Sequence, residues 1–151
     1  MAGAGLALCL AADFVISGES SFFLAAHVHI GLCLDSGLSG LLVGAMGIKA
    51  AKRIALLGER VDVAQALALG IITEAVPDDQ LSETTAKLAK RLVSGPGTAI
   101  SSTKALLNRA CYQGFDEQLV EEAKQVGRCA ATDDFVIGIR SVLERKPAVF
   151  D

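Results

Sequence analysis

The spacing of apolar residues changes about halfway along the chain. Beyond Pro77, apolar positions recur every three or four residues, which is the period of a helix with one buried face. This pattern predicts four helices, at residues 81–93, 98–111, 117–130 and 133–144, the last capped by Thr132 or Asp133. The positions expected to face inward are Leu81, Leu88 and Leu92, then Ala99, Thr103, Leu106 and Ala110, then Leu119, Ala123, Val126 and Ala130, and finally Phe135, Ile139 and Val142.

Before Pro77 the apolar runs are shorter and are separated by Gly, Ser and Asp. They predict a short buried helix at 6–12, strands at 14–17 and 71–76, and an extended piece at 21–24. They also predict apolar helices at 36–43, broken by Gly44 and Gly47, at 48–57, ended by Gly58, and at 63–69, capped by Asp62 and ended by Gly70.

These elements divide the chain into an α/β part, residues 1–76, and an all-helical part, residues 77–151. The apolar faces of the helical part need something to cover them. The chain also opens almost directly on a buried helix, which is unusual for the start of a domain. We therefore expect either a fragment or a protein with a further segment upstream of Met1.

Length and composition narrow the class of protein. The 151 residues suffice for one domain, and 52% of them are hydrophobic, with no Trp. A formal net charge of −3 without a Lys/Arg block argues against nucleic acid as a partner, and no apolar run is long enough to span a membrane. The widely spaced Cys9, Cys33, Cys111 and Cys129 predict reduced, mostly buried thiols and a cytoplasmic protein.

One carboxylate is distinguished by its setting. Asp35 precedes a Ser-Gly turn in the apolar segment Gly-Leu-Cys-Leu-Asp-Ser-Gly-Leu-Ser at 31–39. Such a carboxylate either caps the helix that follows or acts as a catalytic acid or base. Burial among Leu32, Leu34 and Leu38 would favour its protonated form and suit the second role.

His27 and His29 are separated by one residue. In an extended segment both side chains would face the same side and supply two metal ligands. No third ligand stands nearby, so we expect no metal site. Packing in the core and lining of a pocket both remain open for His27.

Three segments together resemble the crotonase, or enoyl-CoA hydratase/isomerase, superfamily. The first is a glycine turn with the start of a helix, Gly3-Ala4-Gly5-Leu6-Ala7-Leu8, followed by Ala12-Asp13. The second is Leu56-Leu57-Gly58-Glu59-Arg60-Val61, with Ala64 and Ala68-Leu69-Gly70-Ile71-Ile72. The third is Thr132-Asp133-Asp134, with Gly138 and Glu144-Arg145-Lys146-Pro147. The resemblance covers essentially the whole chain.

The resemblance implies a crotonase-like (ClpP/crotonase) α/β fold. Residues 1–76 would be the C-terminal part of its spiral core, and residues 77–151 a helical region for trimerisation and for covering coenzyme A. Proteins of the family are longer, so the N-terminal part of the fold, including one of two oxyanion-hole donors, is expected to be missing. An acyl-CoA substrate, no cofactor besides that coenzyme A, and assembly into homotrimers or hexamers are also implied.

The resemblance further assigns roles within the site. The family stabilises a thioester enolate with two backbone N–H groups, and the position of one maps onto Ala4, flanked by Gly3 and Gly5. Its hydratases use two glutamates, whose positions are taken here by Ala7 and His27. Because alanine cannot move a proton, hydration of a double bond by that mechanism is not expected.

The stretch at 34–37, Leu-Asp-Ser-Gly, resembles the one that carries a single catalytic Asp in the isomerase branches of the family. The resemblance implies that Asp35 takes a proton from one carbon of the enolate and returns it to another. His27, Leu32 and Leu34 would line the acyl pocket.

Other assignments stay open. A hydratase-like or hydrolase-like enzyme would use His27 or Asp35 to activate water, whereas an acyl-CoA-binding or assembly subunit would need neither. Lys146 either meets the coenzyme A nucleotide or lies on an exposed face. Loss of one oxyanion donor costs roughly 2.7–4 kcal/mol of transition-state stabilisation, so we expect the chain to be nearly inactive by itself.

Overall fold

The computed structural model describes residues 1–150, in which four short strands all lie before Pro77. Strand β1 (Ile16–Gly18) pairs in parallel with β4 (Glu74–Val76), and β2 (Phe22–Leu24) pairs in antiparallel with β3 (Arg60–Asp62). The two pairs are separate two-stranded sheets. The α/β class predicted from the sequence is therefore present, with few residues in strands.

The strands follow the predicted pattern only in part. The sequence does not predict β3, because a single buried residue between two exposed ones is too short a pattern to indicate a strand. The strand predicted at 71–76 is half right. Ile71 and Ile72 are buried, but both donate their N–H to the carbonyl of Ala66 and so close the preceding helix instead of joining β4.

Seven α-helices make up most of residues 1–150. Their bounds are α1 Ala4–Leu10, α2 Leu38–Leu57, α3 Val63–Ala68, α4 Leu81–Val93, α5 Gly97–Cys111, α6 Phe115–Ala130 and α7 Asp133–Glu144. Short 3-10 turns, Ala26–Ile30 and Asp78–Gln80, precede α2 and α4. Every predicted helix is present, and α4 and α7 have the predicted bounds.

Local signals fix several helix ends. Gly47 has φ 73° and ψ 163°, which interrupts α2 at one of the two glycines expected to break it. The carboxylate of Asp62 accepts from Gln65 N at 2.8 Å, and Gln65 Oε1 accepts from Asp62 N at 3.2 Å. This capping box confirms the start of α3 at the predicted residue.

The core lies between α1, the first half of α2 and the β2–β3 pair. Its largest fully buried side chains are Phe23, Leu6, Leu38, Leu42, Ile71 and Ile72. Because α1 packs directly on α2, the turn before α1 is held in a fixed relation to the loop before α2.

The helical part is less covered than predicted. All residues of α5 are exposed, so the prediction that Ala99, Thr103, Leu106 and Ala110 face inward is wrong. The same holds in α6 for Leu119, Ala123 and Ala130 and in α7 for Ile139 and Val142, whereas Leu81, Leu88, Leu92, Val126 and Phe135 are half-buried as expected. The physical reason is that the described residues cover these stripes incompletely. Ala99 and Thr103, for example, are separated from residues 11–14 by an open cavity of about 710 Å³.

Among the helices of residues 1–150, none combines the length and the apolar character needed to cross a bilayer.

Candidate active site

The chain begins with a tight turn that leaves one backbone N–H free. Gly3 has φ 54° and ψ −131°, a conformation that suits glycine and strains other residues. Its carbonyl accepts from Leu6 N at 2.9 Å, and Gly5 N donates to Ala2 O at 3.1 Å. Within residues 1–150 the N–H of Ala4 has no acceptor. It is free at the start of α1, as an oxyanion donor must be.

Backbone hydrogen bonds tie this turn to β2. Gly3 N donates to Leu24 O at 3.1 Å, and Leu24 N donates to Met1 O at 3.0 Å. Ala2 and Leu24 also form an isolated parallel bridge. Leu24 ends β2, and the 3-10 turn that contains His27 begins two residues later. The glycine turn and His27 are therefore held by the same short strand.

His27 and Asp35 form the polar centre of the candidate site. Nε2 of His27 lies 3.1 Å from Oδ1 of Asp35. The His27 side chain is only 6% exposed, whereas that of Asp35 is 40% exposed. An ionised carboxylate can only accept, so Nε2 carries the proton and donates it. The other ring nitrogen, Nδ1, is buried and has no partner among the described residues.

The two histidines do not share a face. Residues Ala26–Ile30 form a 3-10 turn, in which residues two apart point in different directions, so the extended segment considered for a metal pair is wrong. Nε2 of His29 donates instead to the carbonyl of Gly58 at 2.9 Å. Within the described residues, no three His, Cys, Asp or Glu side chains are grouped so that they could hold a metal ion.

Asp35 does not cap α2. The chain passes through Ser36 and Gly37, both with positive φ, before the helix begins at Leu38. The Asp35 carboxylate accepts from His27 and from Ser36 Oγ, the latter at 3.0 Å. The helix-cap hypothesis is therefore wrong, because the carboxylate turns back toward its own segment.

The start of α2 is capped by Glu122, from α6. Its Oε2 accepts from Gly37 N at 2.7 Å, and its Oε1 accepts from Ser39 N at 3.0 Å and from the Ser39 hydroxyl. This buried carboxylate lies where the helix dipole favours negative charge. Sequence reasoning missed Glu122, since no local spacing signals a cap that arrives from so far along the chain. The contact joins the helical part to the turn beside Asp35.

His27, Leu32 and Leu34 line one cavity of about 520 Å³, which we call the His27 cavity. The residues expected to form the acyl pocket are thus brought together. Its remaining walls include residues that the sequence did not nominate, namely Ala55, Leu56, Cys129, Asp134 and Phe150. Asp35 does not line this cavity and is connected to it through its hydrogen bond with His27. The enclosure expected for Asp35 is only partial, because its side chain is 40% exposed.

The structure does not bring every predicted residue to this cavity. Lys146 lines a neighbouring cavity of about 680 Å³, and its Nζ lies 3.2 Å from Glu144 Oε2. Gly3, Ala4 and Gly5 line neither of these two cavities and are linked to His27 through the backbone of β2.

Cys33 and Cys129 meet in the wall of the His27 cavity. Burial, together with the hydrogen bond that the Cys33 thiol donates to Cys129, raises the pKa of Cys33 to about 11. Burial also raises the pKa of Cys9. All four cysteines are free, but Cys111 is exposed and only Cys9 is fully buried, so the prediction of mostly buried thiols is wrong. Cys111 belongs to α5, whose surface is open.

The sequence model of one protein family, described as Enoyl-CoA hydratase/isomerase, matches residues 1–151. A probable enoyl-CoA hydratase of Rhodobacter capsulatus is 34% identical over 99% of this chain and 58% of its own length. The 1,2-epoxyphenylacetyl-CoA isomerase of Escherichia coli is 32% identical over 99% of this chain and 57% of its own. The trans-2-decenoyl-[acyl-carrier-protein] isomerase of Streptococcus mutans is 30% identical over 99% of this chain and 57% of its own length.

Solved structures of enoyl-CoA hydratases are also similar to this chain. An enoyl-CoA hydratase from Mycobacterium avium subsp. paratuberculosis matches with a TM-score of 0.94 and 36% identity, over 99% of this chain and 61% of its own. An enoyl-CoA hydratase/isomerase from Pseudoalteromonas atlantica matches with a TM-score of 0.91 and 26% identity, over 99% of this chain and 60% of its own. These matches confirm the crotonase-like fold, and the chain spans less than two thirds of the proteins that it matches.

Proposed function

Because the chain belongs to the enoyl-CoA hydratase/isomerase family, we propose that it acts on acyl thioesters and moves a carbon–carbon double bond along the acyl chain. The observation that carries the proposal is the state of Asp35. Its carboxylate is held at 3.1 Å by His27, which lines the His27 cavity, and is itself partly exposed. A carboxylate in that setting can both take up and release a proton.

The proposed reaction needs one acid/base group and no cofactor. Asp35 removes a proton from C2 of a 3-enoyl thioester, and the electron pair moves onto the thioester oxygen. The N–H of Ala4, free at the start of α1, donates to that oxygen as negative charge develops. The protonated Asp35 then returns the proton to C4, the double bond moves between C2 and C3, and the carboxylate is regenerated.

Hydration is the less favoured reading. The family's hydratases are expected to use two glutamates, and this chain has Ala7 and His27 at those positions. Ala7 is 3% exposed and has no proton to transfer, and His27 Nε2 is engaged by Asp35. Both groups that would activate and deliver water are therefore absent or occupied.

The thioester carrier and the assembly form part of the proposal. One similar protein is named for a coenzyme A thioester and another for an acyl carrier protein thioester, so thioesters of both carriers are candidate substrates.

The exposed apolar stripes of α5, α6 and α7 support assembly into a homotrimer or hexamer, because surfaces of this kind are usually covered in a stable protein. Lys146 remains a candidate contact for the carrier.

Product analysis with the 151-residue chain tests the proposal. Medium-chain 3-enoyl and 2-enoyl thioesters, each on coenzyme A and on acyl carrier protein, would be incubated with the chain in D2O, and the products separated and weighed by mass spectrometry. The proposal predicts that the 3-enoyl thioester gives the 2-enoyl isomer and that deuterium enters the acyl chain. Because one oxyanion donor is expected to be missing, the rate should be low but above that of a control without the protein.

The other outcomes identify the competing functions. Formation of a 3-hydroxyacyl thioester from the 2-enoyl substrate would contradict the proposal and favour a hydratase-like enzyme. Binding of the thioester without isomerisation or deuterium uptake would also contradict it, and would favour an acyl-CoA-binding or assembly subunit.

A further inference from the structure

Two hydrogen-bond donors meet on a single oxygen of Asp35. His27 Nε2 lies 3.1 Å from Oδ1, and Ser36 Oγ donates to the same Oδ1 at 3.0 Å. Within residues 1–150, Oδ2 has no hydrogen-bond or ion-pair partner. The two oxygens of this carboxylate are therefore not equivalent: one is anchored and the other is free.

The His27 ring is held in place because it is buried and has no other hydrogen-bond partner within reach among the described residues. The side chain is 94% enclosed by protein, since only 6% of it is exposed. Its Nδ1 is buried without a partner, so the bond from Nε2 to Asp35 is the one polar contact of the ring among the described residues. Rotating the ring away from Asp35 would leave both nitrogens unpaired in the interior, which is costly.

Ser36 supplies the second donor from a strained backbone. Its φ is 58°, and it is one of two non-glycine residues with positive φ in the described chain. Glycine would adopt this conformation without strain, as Gly37 does next to it at φ 77°. Strain of this kind persists at positions where the side chain is used. Here the side chain that glycine would lack is the hydroxyl that binds Oδ1.

We propose that His27 and Ser36 are positioning residues that hold Asp35 by Oδ1, so that Oδ2 is the atom that takes the substrate proton and returns it. The anchoring is a property of the chain without substrate, whereas the role of Oδ2 rests on the proposed isomerase function. An NMR experiment and two sets of kinetic variants separate these parts.

The anchoring is tested by NMR of the ¹⁵N-labelled chain. The sequence has two histidines, so long-range ¹H–¹⁵N spectra contain two imidazoles, and His29→Gln assigns them. We expect His27 in one tautomer with the proton on Nε2, and we expect Asp35→Ala to shift its ring nitrogens and to speed exchange of that proton with water. A proton on Nδ1, or ring signals unchanged in Asp35→Ala, would overturn the anchoring whether or not the chain is an isomerase.

The role of Oδ2 is tested by rates of isomerisation and deuterium uptake. Ser36→Ala removes the hydroxyl and keeps the strain, whereas Ser36→Gly removes both. We expect kcat to fall roughly tenfold in both variants with KM unchanged, as for loss of a hydrogen bond to a charged group, although Ser36→Gly melts at the higher temperature. Wild-type kcat in Ser36→Gly would mean that Ser36 matters only to the backbone, and would overturn its role.

His27 is tested by a matched pair of variants. His27→Leu removes the donor, whereas His27→Gln retains an N–H near the position of Nε2. We expect His27→Leu to lower kcat by about 10- to 100-fold, with KM within twofold of the wild-type value, and His27→Gln to restore most of the loss. Equal rates in the two variants, at matched thermal stability, would show that the donor has no part in the reaction.

Discussion

The carboxylate of Glu122 accepts a hydrogen bond from the backbone N–H of Gly37 at 2.7 Å, across 85 residues of sequence. With the further bonds from Ser39, it binds the first turn of α2 to the middle of α6. Asp35 lies two residues before Gly37. The helical part of the chain therefore helps to determine where the proposed acid/base group stands.

Removal of this cap should destabilise the protein. Glu122→Ala leaves the N–H groups of Gly37 and Ser39 without their acceptor, and we expect the free energy of unfolding to fall by roughly 1.5–3 kcal/mol, the usual worth of a hydrogen bond to a charged group. Urea denaturation measures the change. Glu121→Gln, one residue away on the exposed face of α6, is the control. Its contacts with Gln125 and Lys124 are exposed, so it should shift the midpoint much less than Glu122→Ala does. Equal midpoints for the two variants would contradict the capping role.

A second prediction concerns the contact between α7 and the 3-10 turn that carries His27. A Cβ at Gly138 would lie 2.4 Å from the Cα of Ile30, so Gly138→Ala should force the helix off the turn and cost about 1–3 kcal/mol. Gly127→Ala is the matched control on α6, where a Cβ meets nothing within 4 Å and should stabilise the helix by roughly 0.5–1 kcal/mol. If both substitutions stabilise, the described packing of α7 is wrong.

The thiols should differ sharply in reactivity. The pKa of Cys33 is raised to about 11, so at pH 8 only about one thiol in a thousand is ionised, and the thiolate is the form that reacts. We expect iodoacetamide to alkylate exposed Cys111 well before Cys33, and the rate at Cys33 to rise about tenfold per pH unit until pH approaches 11.

Replacing the neighbouring thiol gives the control for that experiment. Cys129→Ala removes the hydrogen bond that helps to raise the pKa of Cys33, so alkylation of Cys33 at pH 8 should become faster. Peptide mass spectrometry quantifies each site. Equal labelling of Cys33 and Cys111 at pH 8 would contradict the raised pKa of Cys33 and its contact with Cys129.

The oxyanion donor can be removed without removing the helix. Ala4 is the first residue of α1, a position that tolerates proline, and Ala4→Pro deletes the free N–H. We expect deuterium uptake into the acyl thioester to slow by roughly 10²–10³-fold, with little change in the melting temperature. Ala4→Ser retains the N–H and should behave as wild type. Unaltered uptake in the proline variant would exclude Ala4 as the donor.

Much of the fold could be predicted because its signals are local. The apolar period of α4 and α7, the cap at Asp62 and the break at Gly47 each depend on residues close together in sequence. β3 could not be predicted, since it has three residues and owes its pairing to β2, far along the chain. The exposure of α5 could not be predicted either, because periodicity reveals an apolar face but not what covers it.

The residues of the candidate site likewise fall into those that sequence motifs indicate and those that only tertiary packing brings to the site. Asp35, His27 and the glycine turn were nominated from sequence motifs, but the bond between His27 and Asp35 depends on a 3-10 turn that the pattern of residues does not indicate. Glu122, Asp134 and Phe150 come from the helical part and reach the site only through tertiary packing. The sequence could therefore suggest chemical roles for single residues, whereas the hydrogen bonds and contacts between them could be identified only from the structure.

The most direct test of the central claim is the rate of double-bond migration in Asp35→Asn, measured with a 3-enoyl-CoA beside the wild-type chain. Asparagine keeps the size of the side chain and an oxygen to accept from His27, but it cannot carry the proton. We predict a loss of about 10²–10⁴-fold, as for removal of a general acid–base group, and no loss in Asp79→Asn, an exposed carboxylate far from the site in sequence. Isomerisation by Asp35→Asn at the wild-type rate would contradict the account.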